Sequence, residues 1–93
     1  MQLQWSSQFK RRFKQLTRKD PQLRSSIKQT LELLLSTPFH PTLKTHKLKG
    51  DLNGIWACSI DYSKRILFTF VLNENTGEEE ILLLVLGSHD DVY

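Results

Sequence analysis

Cysteine is nearly absent from this sequence, since Cys58 is the only one among 93 residues. It lies inside an apolar run without a second thiol, so an intramolecular disulfide and a thiolate metal cluster are both excluded. The three histidines, His40, His46 and His89, lack the paired spacing typical of a metal site. We therefore expect a metal-free protein of a reducing compartment, the cytoplasm, with an inert buried thiol.

Long hydrophobic runs are also lacking. No apolar segment approaches the ~20 residues needed to cross a bilayer, and the opening MQLQWSSQFKRR has no apolar core of a signal peptide. Neither a glycine-rich phosphate loop nor a serine-elbow pattern occurs, which disfavours nucleotide-dependent and acyl-transfer enzymes. Residues 1–93 have the size of a single domain, for which we expect no cofactor and no membrane contact.

Acidic residues are scarce in the first half of the chain. Residues 1–50 hold 11 Lys and Arg and 2 Asp and Glu, whereas residues 51–93 hold 2 and 8, so the halves carry +9 and −6. This asymmetry suggests that the basic half meets a polyanion, most commonly RNA or DNA. A solvated helix face is the simpler interpretation of the cationic cluster. The cluster comprises Lys10, Arg11, Arg12, Lys14, Arg18 and Lys19.

Two helices are predicted after a short strand, QLQW. Ser6 or Ser7 can cap the first helix, whose apolar residues Phe9, Phe13 and Leu16 recur at helical spacing. Asp20 and Pro21 are typical of the start of a second helix. Its apolar face comprises Leu23, Ile27, Leu31 and Leu34, and it ends near Pro38. The short connection predicts an antiparallel helix pair.

Beyond Pro41 the apolar period changes to two, which indicates strands. Strands are predicted at Ile55–Ile60, Arg65–Leu72 and Ile81–Leu86, the last two joined by a turn at residues 73–77. Because residues 81–86 are apolar on both faces, we expect this strand inside the sheet. The predicted fold class is α+β, with an N-terminal strand and a helix pair packed on a small, mostly antiparallel sheet.

The order of these elements carries a family resemblance. A strand and two helices precede the basic segment KTHKLKG, a strand opened by Gly54, the strand KRILFTF and a last strand ending in GSHDDVY. Over nearly its whole length the chain resembles the RelE/ParE superfamily of bacterial toxin-antitoxin toxins, and most of all the YafQ branch of ribosome-dependent messenger RNA endonucleases. The resemblance implies cleavage of messenger RNA on the ribosome and a cognate antitoxin that binds the toxin in a hetero-oligomer.

The resemblance also implies site residues. His46 matches the family histidine in the loop before the sheet, and His89 matches the histidine after the last strand, which serves the family as proton donor. Arg65 matches the arginine that opens the corresponding strand in RelE and YoeB relatives. Tyr93 falls near the aromatic position close to the family's C-terminus.

One departure from the YafQ pattern is Ser59, where the family has a further histidine. Asp61 resembles the family's aspartate but lies two residues early. Two alternatives stay open: the site works with a reduced set of residues, or Asp61 compensates.

RNA carries its own nucleophile, so metal-free cleavage needs only a base, an acid and a cation for the phosphate. We assign His46 as base, His89 as acid and Arg65 as phosphate clamp, while Tyr93 stacks on a base or assists proton transfer. The structural alternatives are a solvated loop histidine at His46, a strand-end cap at His89, an Arg65–Asp61 pair and a frayed terminus at Tyr93.

Lysines around His46 are further candidates. In an extended segment Lys44, Lys47 and Lys49 would project cations to one side and form a phosphate track, to which Lys64 is added as an RNA-binding candidate. A solvated basic loop is the alternative. His40 and Trp56 are interpreted as structural, with antitoxin contact as a further role for Trp56.

Two other functions compete with the nuclease. A non-enzymatic toxin of the ParE type shares the fold but inhibits DNA gyrase by binding, and it requires no pair of histidines beside the sheet. A toxin-like protein whose site has decayed is the other alternative, which Ser59 keeps open.

Overall fold

The computed structural model describes residues 1–50 and 54–88. Its elements are β1 (Leu3–Trp5), α1 (Ser7–Thr17), α2 (Pro21–Ser36), a 3₁₀ turn (Pro41–Leu43), β2 (His46–Lys47), β3 (Trp56–Ser59), β4 (Lys64–Leu72) and β5 (Glu79–Ser88). The five strands form one sheet in the order β1-β5-β4-β3-β2. Every neighbouring pair is antiparallel except β1 with β5. The predicted α+β architecture is confirmed.

Both helices begin at the predicted caps. The Ser6 side chain accepts a hydrogen bond from the Phe9 amide at 3.0 Å, and Asp20 accepts one from the Leu23 amide at 3.0 Å. Pro21 follows Asp20 in the first turn of α2, where its missing N–H costs nothing. Neither helix is long and apolar enough to span a bilayer within the ranges that the structure covers.

The main core lies between the helices and one face of the sheet. Phe9 of α1 and the apolar stripe of α2 pack against inward residues of β3, β4 and β5. The fully buried strand members of this core include Cys58, Ile66, Phe68, Ile81 and Leu83. Strand residues alternate between the two faces of a sheet. The neighbours of these residues therefore lie on the opposite face, which we call the open face because α1 and α2 do not cover it.

A second, smaller apolar cluster lies on the open face. It consists of Leu48, Ala57 and Leu67, with Ile55 and Val85 packed against them. β5 is consequently apolar on both faces and lies between β1 and β4, which confirms the prediction of an interior strand. One extra residue interrupts its pairing with β4, where Leu67 opposes Val85 and Phe68 opposes Leu83. Such a bulge increases the local twist of the strand.

Two structural features differ from the sequence prediction. The segment before β3, expected as a loop, contains the two-residue strand β2, which is paired with β3 and forms an edge of the sheet. The expected extended run from Lys44 is wrong at its first residue, because Lys44 has a left-handed backbone with φ of 52°. The 3₁₀ turn that precedes it is capped by His40, whose Nδ1 accepts the Thr42 amide at 3.1 Å. This contact confirms the structural interpretation of His40.

Candidate active site on the open face of the sheet

A row of four residues crosses the sheet from β2 to β5. His46 opposes Ala57, Ala57 opposes Leu67, and Leu67 opposes Val85. Directly opposed residues of antiparallel strands project to the same side. His46 therefore lies on the open face, at its β2 edge, beside the small apolar cluster.

Arg65 lies on the same face. It opposes Ser59 on β3, which is two residues from Ala57 and therefore on the same side of that strand. With strands about 4.8 Å apart and a rise of about 3.3 Å per residue, the Cα atoms of His46 and Arg65 are about 12 Å apart. The two candidates share one surface.

The backbone of Lys44 orients the His46 ring. Nδ1 of His46 lies 2.9 Å from the carbonyl oxygen of Lys44. A carbonyl can only accept, so Nδ1 carries the hydrogen and donates it. In the neutral ring Nε2 is then the basic nitrogen. Sequence patterns do not predict this contact, because it depends on the positive φ of Lys44, which lysine does not favour.

Arg65 is held by the turn between β3 and β4. Its Nη1 donates to three backbone carbonyls, those of Asp61 at 2.7 Å, Tyr62 at 3.1 Å and Lys64 at 3.1 Å. Within the part of the chain that the structure covers, Nη2 and Nε make no hydrogen bond. One edge of the guanidinium is thus fixed while other donors remain for an anion, which suits a bidentate contact with phosphate.

Asp61 holds the same turn rather than pairing with Arg65 through its carboxylate. Oδ1 accepts the backbone amides of Ser63 at 2.9 Å and Lys64 at 2.8 Å, and the Ser63 hydroxyl at 3.2 Å. Partial burial alone would raise the pKa of Asp61, but these hydrogen bonds and the Lys64 charge outweigh it and lower the pKa. Asp61 is therefore ionised at neutral pH and acts as a turn cap.

The lysine candidates do not all lie on the face of His46. Lys47 opposes Trp56, and its Nζ lies 5.9 Å from the Trp56 ring centroid. Trp56 packs against the main core, so Lys47 lies on the helix side, opposite to His46. Lys64 borders a groove shared with Asp20 and Asp61. Lys44 and Lys49 are exposed beside β2, and the phosphate track stays a prediction from the sequence.

Two further expectations concern β3. Ser59, which stands where the family pattern has a histidine, lies opposite Arg65 on the open face. Cys58 faces the main core and is fully buried. Burial raises the pKa of its thiol to about 12 despite the opposing charge of Arg65. The interpretation of Cys58 as an inert buried thiol is confirmed.

His89 and Tyr93 lie outside the described residues, so their expected roles stay predictions from the sequence. Across residues 1–50 and 54–88 no three His, Cys, Asp or Glu side chains gather as a metal site requires. The site that can be built from these ranges therefore consists of His46 and Arg65 on a partly apolar face.

Comparisons with solved structures agree with this fold. The chain is similar to a YoeB/ParE toxin from Agrobacterium tumefaciens, with a TM-score of 0.79 and 22% identity over 96% of this chain and 99% of the other. It is also similar to YafQ from E. coli, with a TM-score of 0.71 and 17% identity over 98% and 96%. The heterotetrameric YoeB-YefM toxin-antitoxin complex from Staphylococcus aureus aligns with a TM-score of 0.72 and 20% identity over 94% of each chain.

Sequence comparison identifies the family. No curated protein gives a significant match. A family model described as the bacterial toxin YafQ of type II toxin-antitoxin systems matches residues 1–93. The match spans both helices and all five strands, including the β2 and β4 positions of His46 and Arg65. The chain therefore belongs to the YafQ family of bacterial toxins of type II toxin-antitoxin systems.

Proposed function

We propose that this toxin is a metal-independent endoribonuclease that cleaves messenger RNA, on the ribosome as the family resemblance implies. The observation that carries the proposal is the placement of His46 and Arg65 on one face of the sheet, two strands apart. A general base and a phosphate-binding guanidinium are two of the three groups that this reaction needs.

The reaction begins at the 2′-hydroxyl of the RNA. Nε2 of His46 removes its proton, and the oxygen attacks the adjacent phosphorus. The pentavalent phosphorane carries extra negative charge, which the Arg65 guanidinium stabilises. Because Nη1 is already held by three carbonyls, this cation is oriented before the substrate arrives.

Departure of the 5′ oxygen needs a proton. We assign this step to His89, and we place Tyr93 beside the substrate bases; both assignments rest on the sequence resemblance. The products are a 2′,3′-cyclic phosphate and a free 5′-hydroxyl. Asp61 receives no proton-transfer role, because its depressed pKa and three hydrogen bonds make it a poor base and a good turn cap.

A cognate antitoxin is the expected protein partner. A structural neighbour is a heterotetramer of the toxin YoeB with YefM, and we infer that this chain likewise forms a hetero-oligomer with its own antitoxin. The cytoplasm, where messenger RNA is translated, is the proposed compartment.

Primer extension on cellular transcripts after induction of the toxin tests the function. The wild type is expected to arrest growth and to produce in-frame cuts. Since general acid-base groups contribute about 10²–10⁴-fold in rate, His46→Gln and His89→Ala are expected to abolish detectable cutting. Arg65→Lys keeps the charge but not the fork, and it is expected to lose most of the activity.

His40→Asn is the matched control, because asparagine can still accept the Thr42 amide and His40 lies outside the site. It is expected to cut like the wild type. Growth arrest that persists in His89→Ala with intact messenger RNA would reject the nuclease and favour a gyrase-binding toxin. Normal growth and uncut transcripts with the wild type would indicate a decayed site.

A further inference from the structure

A groove of about 400 Å³ lies between α1 and β5, outside the site formed by His46 and Arg65. We propose that this groove, which we call the α1–β5 groove, binds the backbone of the RNA substrate beside the scissile phosphate, with Arg11 as its main phosphate contact. The inference rests on the proposed function, since it extends the path of the same substrate.

The chemistry of the α1–β5 groove fits a nucleic acid. Its lining consists of Gln8, Arg11, Arg12, Gln15, Val85 and Leu86. Among the residues that the structure describes, none that lines the groove carries a carboxylate. The guanidinium groups can bind phosphate, and the carboxamides can donate to or accept from sugar and base. Arg12 is positioned by its own helix, with Nη1 3.5 Å from Oε1 of Gln15.

These four polar residues form one stripe along α1. Their spacing of i, i+3, i+4 and i+7 places them on the same side of the helix. The stripe is distinct from the apolar one, in which Phe9 is buried in the main core. An ordinary solvated face needs no such alignment along a groove. The position beside β5 distinguishes Arg11 and Arg12 from the other cations of α1, Lys10 and Lys14, which border a different groove.

The α1–β5 groove adjoins the open face of the sheet. Val85 lines the groove and also packs against the open-face cluster, directly opposite Leu67. Arg65 opposes Gly87, two residues along β5 from Val85. Strand spacing and rise place the Cα atoms of Val85 and Arg65 about 8 Å apart. A strand of RNA held by Arg65 can therefore continue past β5 toward Arg11.

The path of β1 creates this groove. β1 pairs with β5 only from Ile81 to Leu83. At Ser6 the chain then turns into α1, with the Ser6 amide bonded to the Leu83 carbonyl at 3.0 Å and the Ser6 hydroxyl to the Leu84 carbonyl at 3.0 Å. No strand of the covered chain pairs with the outer edge of β5 beyond this point, and α1 side chains stand beside it instead.

The charge distribution also favours a path of the RNA from Arg65 past β5 to Arg11. The glutamates of the β4–β5 hairpin lie at the start of β5 or before it, and the last of them is Glu80. Val85 is five residues further along, or about 16 Å at the rise of a strand. A polyanion that crosses from His46 past Arg65 to Arg11 thus avoids the acidic hairpin.

Salt-dependent binding of a defined oligoribonucleotide tests the inference. The probe is a single-stranded RNA with 2′-O-methyl groups, which lacks the nucleophile and therefore stays uncut. Binding is measured by fluorescence anisotropy between 50 and 200 mM salt, because phosphate contacts weaken strongly over this range. Arg11→Gln is expected to weaken binding and to reduce the slope of log K against log salt by about 0.7, the value for one contact to a single strand.

Arg24→Gln is the matched control, because Arg24 is also an exposed helical arginine but borders a different groove, with Trp5 and Phe13. It is expected to leave the slope unchanged. Circular dichroism verifies that both variants are folded. An unchanged slope in Arg11→Gln, or an equal loss in Arg24→Gln, would overturn the inference. Weakened antitoxin binding in Arg11→Gln with unchanged RNA binding would do so as well.

The proposed function is judged separately by cleavage with the wild type. If the wild type cuts transcripts and Arg11→Gln keeps the wild-type slope, only the α1–β5 groove assignment fails. If the wild type cuts no RNA, the proposed function fails whatever the slopes are, and the assignment of this groove to a substrate fails with it.

Discussion

At the scale of single residues, the left-handed backbone of Lys44 determines which nitrogen of His46 is basic. The Lys44 carbonyl holds the hydrogen on Nδ1, so the ring presents Nε2 as the acceptor of a proton. In the proposed reaction Lys44 therefore acts as a positioning residue through its main chain.

Two substitutions test this role of Lys44. Glycine adopts a positive φ freely, so Lys44→Gly is expected to keep the Nδ1–H tautomer of His46. Valine is β-branched and adopts a positive φ far more rarely than lysine, so Lys44→Val is expected to shift the loop and lose this tautomer preference. Long-range ¹H–¹⁵N spectra of the imidazole measure the tautomer directly. An Nε2–H tautomer in the wild type would contradict the assignment, and cleavage is expected to fall at least tenfold in Lys44→Val relative to Lys44→Gly.

The Asp61 carboxylate makes stability depend on acid. Its pKa is lower in the folded protein than the usual value of about 3.9. The stabilisation is therefore complete above that value and is lost as the pH falls through the depressed folded pKa. Asp61→Asn retains an acceptor oxygen but no charge. The difference in unfolding free energy between the wild type and this variant is expected to be about 1 kcal/mol or less, since the site is exposed.

Urea titrations between pH 7 and pH 2 measure this difference. It is expected to stay constant from pH 7 down to about pH 5 and then to shrink toward zero. A difference that stays the same down to pH 2 would show that the hydrogen-bonded oxygen matters and the charge does not.

At the scale of elements, Ser6 joins α1 to β5. Its hydroxyl accepts the Phe9 amide and donates to the Leu84 carbonyl, so one side chain caps the helix and fixes it beside the strand. Loss of a helix cap costs about 1 kcal/mol, and the unpaired Leu84 carbonyl adds to this cost. Ser6→Ala is therefore expected to lower the free energy of unfolding by about 1–2 kcal/mol.

Ser7→Ala is the control for Ser6→Ala, because Ser7 is an exposed serine one residue further on. It is expected to change stability by no more than about 0.5 kcal/mol. Equal effects of the two substitutions in denaturant titrations would contradict the special role of Ser6.

Local signals explain which elements were predictable. The helix caps at Ser6 and Asp20 and the strands with a period of two can be recognised from short stretches of sequence. The elements α1, α2, β3, β4 and β5 all occur where these local patterns predict them. β2 has only two residues and exists because β3 pairs with it. The parallel pairing of β1 with β5 joins distant parts of the chain, and no local pattern encodes it.

The same distinction applies to the site. The residue types at His46 and Arg65 could be selected from the sequence, but their common face depends on the register of three strands. A shift of one residue reverses the face of a side chain. Lys47 therefore points to the helix side although it is adjacent to His46. The spacing of Gln8, Arg11, Arg12 and Gln15 shows from the sequence that they share one side of a helix. That they line a groove depends on the position of β5 beside α1.

At the scale of the whole molecule, the two tryptophans report on the two opposite edges of the sheet. Trp5 lies on the edge strand β1 with its ring centroid 5.0 Å from that of Phe9. Trp56 lies on β3, beside the other edge strand, 5.3 Å from Phe39. Both pack against the one main core. We therefore expect the two edges of the sheet to unfold together.

Single-tryptophan variants test this cooperativity. In Trp56→Phe the fluorescence of Trp5 is expected to change at the same urea concentration as the far-ultraviolet circular dichroism, and in Trp5→Phe that of Trp56 is expected to do so. Each variant is its own control because both signals come from one sample. A fluorescence midpoint below the dichroism midpoint in either variant would show that the edge near the remaining tryptophan unfolds separately.

The position of β5 has a consequence for the synthesis of the toxin. β5 separates β1 from β4 and supplies the strand against which α1 packs, yet it is translated after all the other strands. A nascent chain that ends before residue 79 has no partner for β1 and no strand against which α1 can pack. Such a chain is expected to stay unfolded and harmless, so the toxin can act on the cell that makes it only after β5 has been translated.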